Sequence, residues 1–274
     1  MRWVVGLVCA LTASACGDDG AAGPGELIPD PAVIADCQPA PPGAGESRAK
    51  WISCDGELPA GRLVSGRIGD VLLANEEISV VIRGFGEGYY LMGTAPGGIV
   101  DAARHGATDQ IKEILPILAL NGGAFDEIVI TEAGDDGPAT LVVRGPVAEV
   151  PFVASAITTE EIAAIVEQRY ILEPGATEVR IETVLYPDGG EPTTVEVGDA
   201  LFLGGVIESW APGRGVLAGS ENIPFVASTG GDSGTSYGLV YPPDDPPALR
   251  FADIANVKLA LGPTRTLGNT APIV

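Results

Sequence analysis

The chain contains a single histidine, His105, among 274 residues. Zinc centres built on several histidines are therefore excluded by count. Basic side chains are also scarce: 15 lysines and arginines stand against 37 aspartates and glutamates, for a net charge of -22. A surface that negative repels phosphate backbones, so nucleic acid is not an expected partner. The bland consequence is a solvated acidic exterior. The apolar run at the N-terminus, Trp3 to Leu11, falls short of the ~20 residues that a spanning helix needs. Cysteine is limited to four residues. With 38 glycines and 23 prolines, the chain has too many breaks for long helices.

What is present is a substantial apolar fraction, 46% of residues, enough for a real core. The length suits one large β domain or two small ones behind a leader. Arg2 gives a positive start, Trp3 to Leu11 an apolar stretch, and Ala13, Ser14 and Ala15 a run of small residues before Cys16. This order resembles the bacterial lipobox, whose cysteine thiol receives a diacylglycerol after cleavage. Ala13 departs from it, because leucine is usual there and Leu11 lies two positions early. The alternative is an ordinary secretory leader cut after Ala15. Either way the mature protein is expected outside the cytoplasm. On the first reading it is held at the cell envelope by lipid on Cys16, with the membrane as its partner.

Residues 1–15 are thus expected to be a leader. Residues 16–47, rich in Gly, Ala, Pro and Asp without lasting periodicity, read as a flexible linker. Residues 48–274 read as the folded domain. Cys9 leaves with the leader and Cys16 carries lipid, so Cys37 and Cys54 form the one pair left in an oxidising compartment. A Cys37–Cys54 disulfide is expected, contributing ~3 kcal/mol in the chain-entropy picture. Two unpaired thiols are the alternative.

From Trp51 onwards the pattern is strand-like. Gly69 to Glu76 and Ile78 to Ile82 read as a hairpin, with Ile78, Val80 and Ile82 turned inward and Ser79 and Arg83 turned outward. Further strands are expected at 99–102, 125–131, 139–144, 166–172, 178–186, 193–203, 225–228, 237–241, 249–254 and 258–261. Ile111, Ile114, Leu115 and Leu118 have helical spacing, but Pro116 interrupts it, so 109–120 reads as extended or briefly helical. Thr158 to Ala164 reads as a helical turn capped by Thr158 or Thr159. Many short strands separated by Gly, Pro and Asp turns predict an all-β antiparallel sandwich.

Chemical motifs are few. Gly231-Asp232-Ser233-Gly234 matches the nucleophile loop of trypsin-like proteases as a four-residue string, but Thr235 replaces the glycine that follows it there. His105, in Ala103-Arg104-His105-Gly106, lacks that family's flanking context, and no ordered His–Asp pair is identifiable. The string reads as a polar loop. Arg104-His105-Gly106 echoes the histidine acid phosphatases, yet Ala107, Thr108 and Asp109 follow where that motif continues with arginine and proline. His105 is expected in an exposed loop. Glycosidases need two facing carboxylates; with 37 acids, counting alone selects none. Asp135-Asp136 and Asp244-Asp245 read as turn residues. No catalytic residue, cofactor or metal ligand is assigned. Trp51, Tyr89, Tyr90 and Trp210 are candidate aromatics for carbohydrate contact, with core or rim packing as the commoner fate of such residues.

Three segments together carry a resemblance. They are Gly69-Asp70-Val71-Leu72-Leu73-Ala74-Asn75-Glu76-Glu77-Ile78-Ser79-Val80-Val81-Ile82, Pro96-Gly97-Gly98-Ile99-Val100-Asp101-Ala102, and Tyr170-Ile171-Leu172-Glu173-Pro174-Gly175 leading into 178–186. They resemble a supersandwich-type domain of secreted lipoproteins from myxobacteria and similar bacteria. There it can precede a metallohydrolase domain of the polymerase and histidinol phosphatase superfamily. The resemblance implies a broad β-sandwich shaped like the galactose mutarotases. The hydrolase's metal-binding histidine motifs are absent from the sequence. The ending Thr270-Ala271-Pro272-Ile273-Val274, without a polar tail, is what a shortened reading frame would leave.

The expected function is a non-catalytic, lipid-anchored binding or scaffolding module, with a carbohydrate or an envelope protein as ligand. Two alternatives are a mutarotase-like carbohydrate enzyme and the accessory front part of a larger metallohydrolase.

Overall fold

The computed structural model describes residues 40–61, 63–85, 96–150, 159–189, 192–204, 207–210, 219–220, 225–230, 236–240, 250–254 and 257–268. These residues contain seventeen strands and one short 3-10 turn, Asp55–Glu57. The strands are β1 (Ser47–Trp51), β2 (Val71–Asn75), β3 (Ile78–Ile82), β4 (Ile99–Arg104), β5 (Ile111–Leu118), β6 (Asn121–Gly123), β7 (Glu127–Asp135), β8 (Ala139–Glu149) and β9 (Ala164–Leu172). They continue with β10 (Arg180–Pro187), β11 (Thr193–Leu203), β12 (Ile207–Trp210), β13 (Gly219–Ser220), β14 (Phe225–Gly230), β15 (Ser236–Val240), β16 (Arg250–Ile254) and β17 (Val257–Leu267).

The chain is an all-β, antiparallel sandwich, as the turn-rich pattern predicts. One large sheet runs in the order β10-β9-β8-β7-β1-β2-β3-β4-β5-β11-β17-β16-β13. The short strand β6 pairs with both β5 and β8 and so draws two distant parts of this sheet together. A three-stranded sheet, β12-β14-β15, lies apart in the pairing order. It meets the main core through Tyr237 and Leu239.

Alternation explains the strands that the sequence makes plain. In β8, Ala139, Leu141 and Val143 are fully buried; in β9, Val166, Tyr170 and Leu172 join them in the main core. Their polar neighbours face away, as period-two geometry requires. The β2–β3 hairpin departs from expectation. Instead of one inward face, every residue of both strands is buried. Val71, Leu73, Ile78, Val80 and Ile82 enter the main core, while Leu72, Ala74 and Val81 join Ile52 and Val100 in a second cluster on the other face. The chain after β1 folds back over that outer face. Ile52 donates its amide to the Asp70 carbonyl (2.7 Å) and accepts from Gly69 (2.9 Å). Lys50 pairs with Glu57 just beyond, and Glu57 also accepts the Ser53 amide (2.9 Å).

Residues 109–120 take the extended alternative of the two expected: β5 is a strand, because Ile111, Ile114 and Leu118 reach the main core and Leu115 and Ile117 a third cluster with Ala200 and Phe202. Strand geometry with both faces buried accommodates Pro116 where a helix would not. One further expectation is corrected: the described part of 158–164 holds no helical turn. Residues 159–163 are irregular, β9 starts at Ala164, and Thr159 bonds Glu149 (3.3 Å) instead of capping; Thr158 lies outside the described residues. The strands expected at 225–228 and 237–241 form as β14 and β15, with Ser228 paired to Tyr237 and Thr229 to Ser236, and the polar loop read at 231–234 lies outside the described residues.

Candidate functional site

Ionisable side chains concentrate at one end of the β2–β3 hairpin. Asp70 stands just before β2, Arg83 just after β3, Asp101 in the middle of β4, and Asp109 just before β5. All three carboxylates are 0% exposed, and Arg83 is 3% exposed. β3 and β4 pair Val81 with Asp101, which places these groups on neighbouring strands.

Each carboxylate has defined donors. Asp70 Oδ2 accepts from Arg83 Nη1 (2.8 Å) and from the Arg67 amide (2.9 Å), and its Oδ1 accepts the Gly84 amide (2.8 Å). Asp101 Oδ1 and Oδ2 accept the amides of Ser65 (2.8 Å) and Gly66 (2.5 Å). Asp109 Oδ1 accepts the amides of Ala102 (2.8 Å) and Ile111 (3.1 Å), and its buried Oδ2 has no hydrogen-bond partner among the described residues. Tyr237 closes the far side. Its hydroxyl accepts the Gln110 amide (2.9 Å) and donates to the Ala102 carbonyl (3.0 Å).

Burial dominates the protonation of this cluster, since a carboxylate removed from water is disfavoured in its charged form. It raises Asp70 above the ordinary carboxylate range even though Arg83 pulls the other way. Burial, with the charge of Asp109 adding to it, pushes Asp101 up to about 7. Asp109 is pushed up to about 6 by burial. Burial and the same two aspartates raise the Tyr237 hydroxyl well above its ordinary value. The cluster therefore holds protons near neutral pH, but the described fold leaves its carboxylates no contact with solvent.

The opposite end of the hairpin forms a second polar hub. Asn75 Nδ2 donates to the carbonyls of Glu173 and Ala176 (2.8 Å each), and its Oδ1 accepts the amides of Glu77 and Ile78 (2.9 Å each). Glu76 accepts the amides of Gly45 (2.8 Å) and Gly175 (3.0 Å), which lowers its carboxyl below the usual value. His105 lies exposed in the turn after β4, as expected, with Nε2 2.7 Å from the Asn75 carbonyl. Since a carbonyl only accepts, Nε2 carries a proton there. This ties the histidine to a backbone turn, and among the described residues no carboxylate orients its ring as an acyl-transfer triad would need.

A surface groove of about 250 Å³ lies near β10 and the end of β17, lined by Glu161, Pro187, Pro192, Thr193 and Gly268 among others. It is remote in sequence from both hubs and contains one carboxylate.

The residues singled out from the sequence are not brought together. Trp51 ends β1 half-buried and packs against the main core, the commoner fate of such a ring. Trp210 ends β12, in register with Ala227. Tyr89, Tyr90, Cys16 and Cys37 lie outside the described residues, as do Asp244 and Asp245. Cys54 is 4% exposed and disulfide-bonded. Asp135 takes a left-handed conformation (φ 72°) in the β7–β8 turn, as its turn role requires.

The aspartate cluster was missed because counting acids discriminates nothing at this composition. A local signal existed: Asp101 interrupts the apolar run Ile99-Val100-Asp101-Ala102-Ala103. An acid inside such a strand must either break it or be satisfied internally. No protein-family model, curated protein or solved structure matches the chain.

Proposed function

We propose that this protein is a lipid-anchored component of the cell envelope whose β-sandwich acts as a binding or scaffolding module rather than as a catalyst. The observation that carries this reading is the use to which the buried acids are put. Asp70 and Asp101 spend both oxygens, and Asp109 its Oδ1, on the amides of Arg67, Gly84, Ser65, Gly66, Ala102 and Ile111, so they fasten loops rather than face a substrate. The lipobox-like Ala13-Ser14-Ala15-Cys16 supports the anchor. The turn-rich sandwich agrees with the supersandwich resemblance in fold class, and we extend that resemblance to a secreted lipoprotein. The ligand is a carbohydrate or an envelope protein, and the pairing of Cys54 with Cys37 completes the entry to β1.

The anchor is tested by mass spectrometry of the membrane fraction after expression in a bacterial host. A diacylglyceryl-modified Cys16 at the new N-terminus is expected, and Cys16→Ser moves the protein to the soluble fraction. Intact Met1 on soluble cytosolic material overturns the reading. The binding role is tested separately by a glycan array and by turnover assays with sugars and esters. Measurable turnover by the purified domain removes the non-catalytic part.

A further inference from the structure

The outward face of β7, β8, β9 and β10 carries charges in alternation. Leu141, Val143, Val166 and Leu172 turn into the main core, so the alternate positions of these strands form the outer face. Register sets Glu127 of β7 opposite Arg144 of β8, Arg144 opposite Glu167 of β9, and Arg169 of β9 opposite Glu182 of β10. Along the strands, Arg169 Nη2 reaches Glu167 (2.6 Å) and Arg180 Nε reaches Glu182 (3.3 Å). The result is a staircase across four strands, in the order Arg180, Glu182, Arg169, Glu167, Arg144, Glu127. Arg144 also lies over the Tyr186 ring, 5.4 Å from its centroid. Solvent reaches the staircase: Arg144 and Glu127 are exposed, and the side chains of Arg180, Arg169 and Glu182 are 62%, 41% and 33% exposed. Glu167, at its middle, is largely covered.

Two features point to a second copy of this chain as the occupant. The first is charge. Glu132, bonded to the Thr140 hydroxyl (2.7 Å), is the remaining outward acid, so four acids face three bases here. The whole chain has 37 acids against 15 bases. Two copies therefore repel each other over most of their surface, but hardly at all on this face. The second is symmetry. In a two-fold dimer one patch meets itself, so each contact between unlike residues occurs twice. An alternating row with an even number of members, folded about its midpoint, sets every cation on an anion. Here that brings Arg169 of one copy to Glu167 of the other, Glu182 to Arg144, and Arg180 to Glu127. A row with an odd number of members would set like charges together.

We propose that the outer face of β7 to β10 is a self-complementary surface on which two copies of this chain pair through the staircase. Val129, 41% exposed on the same face of β7, supplies apolar area beside the charges. Four strands about 4.8 Å apart give a patch at the small end of specific interfaces, so the dimer is weak and forms with rising concentration.

The test is sedimentation velocity of the full chain from about 5 to about 200 μM in about 150 mM salt, which screens charges more than about 8 Å apart. The natural protein is expected to pass from monomer towards dimer over that range. Arg144→Glu sets like charges across the interface and is expected to weaken pairing about tenfold or more. Adding Glu182→Arg is expected to restore it. Within one copy β9 separates the two positions, and each exchanged charge faces like neighbours: Glu127 and Glu167 for the first, Arg169 and Arg180 for the second. A role confined to one copy thus makes the double variant worse than either single one, whereas recovery is specific to contact between copies. A natural protein that stays monomeric overturns the proposal, as does undiminished pairing of Arg144→Glu or a double variant without recovery. If Arg144→Glu does not fold, amide hydrogen exchange of the natural protein carries the test. Protection at 140–146 and 180–186 is expected to rise with concentration, and a level profile overturns the proposal.

Discussion

At the β2–β3 turn, Glu76 receives the amides of Gly45 and Gly175 where solvent still reaches its carboxylate. At the other end of the same hairpin, Asp70, Asp101 and Asp109 receive backbone amides with no exposure at all. Both ends use the same bond, a backbone N–H donated to a carboxylate, and both use it to hold loops that are distant in sequence. They differ in whether water shares the charge. Where it does, the amides win and the carboxyl is lowered; where it does not, burial wins and the carboxyl is raised. One hairpin thus carries loop fasteners whose responses to pH have opposite sign.

The largest effect is expected at the buried end. Asp70→Ala removes the partner of Arg83 while leaving its guanidinium enclosed, which costs about 3–5 kcal/mol. Chemical denaturation measures this, and adding Arg83→Met to Asp70→Ala should recover part of the loss. If the double variant is no more stable than the single one, the buried charge is not the source of the cost.

The next effect is the pH profile itself. Asp101 and Asp109 have folded-state values above their unfolded ones. Between about pH 4 and about pH 7 the folded state therefore holds more protons, and stability falls as pH rises through that window, by up to about 1.4 kcal/mol for each pH unit per extra proton held. A melting temperature that declines from pH 5 to pH 8, and declines less in Asp109→Asn, sharpens the contrast between the two ends. A rise over the same range breaks it.

Asn75→Ala at the exposed end comes third. It deletes four hydrogen bonds of a fully buried side chain and frees the 173–176 turn, for about 2–3 kcal/mol in thermal unfolding. Glu76→Gln is the smallest. The lowered Glu76 carboxyl contributes stability above its unfolded value of 4.5, and that contribution is lost as pH falls through the lower folded value. The variant should therefore match the natural protein in acid and fall slightly below it at neutral pH, with a difference that salt reduces.

Much of the architecture was legible because it rests on local alternation. The β8, β9 and β11 runs have the period, the flanking Pro-Gly or Asp-Gly turns and the branched side chains that a pleated strand needs, and they form there. The β5 run was ambiguous because a strand buried on both faces has no polar phase to distinguish it from a helix. The turn after it was hidden for another reason. Ala119 and Leu120 adopt left-handed backbones (φ 47° and 70°), which side chains of this kind seldom take and no turn signature announces. They are held there by pairing around them, with Ala119 donating to the Glu196 carbonyl (2.8 Å) and Asn121 beginning the strand that joins β5 to β8.

By itself the sequence determined the fold class, most strand positions and the excess of acidic over basic side chains, because each of these follows from composition or from neighbours a few positions apart. The tertiary structure alone decided which face of β2 and β3 is covered and which acids are withdrawn from water. Both depend on where the chain after β1 and the Ser65 and Gly66 amides come to lie, and contacts between distant segments leave no period in the sequence that forms them.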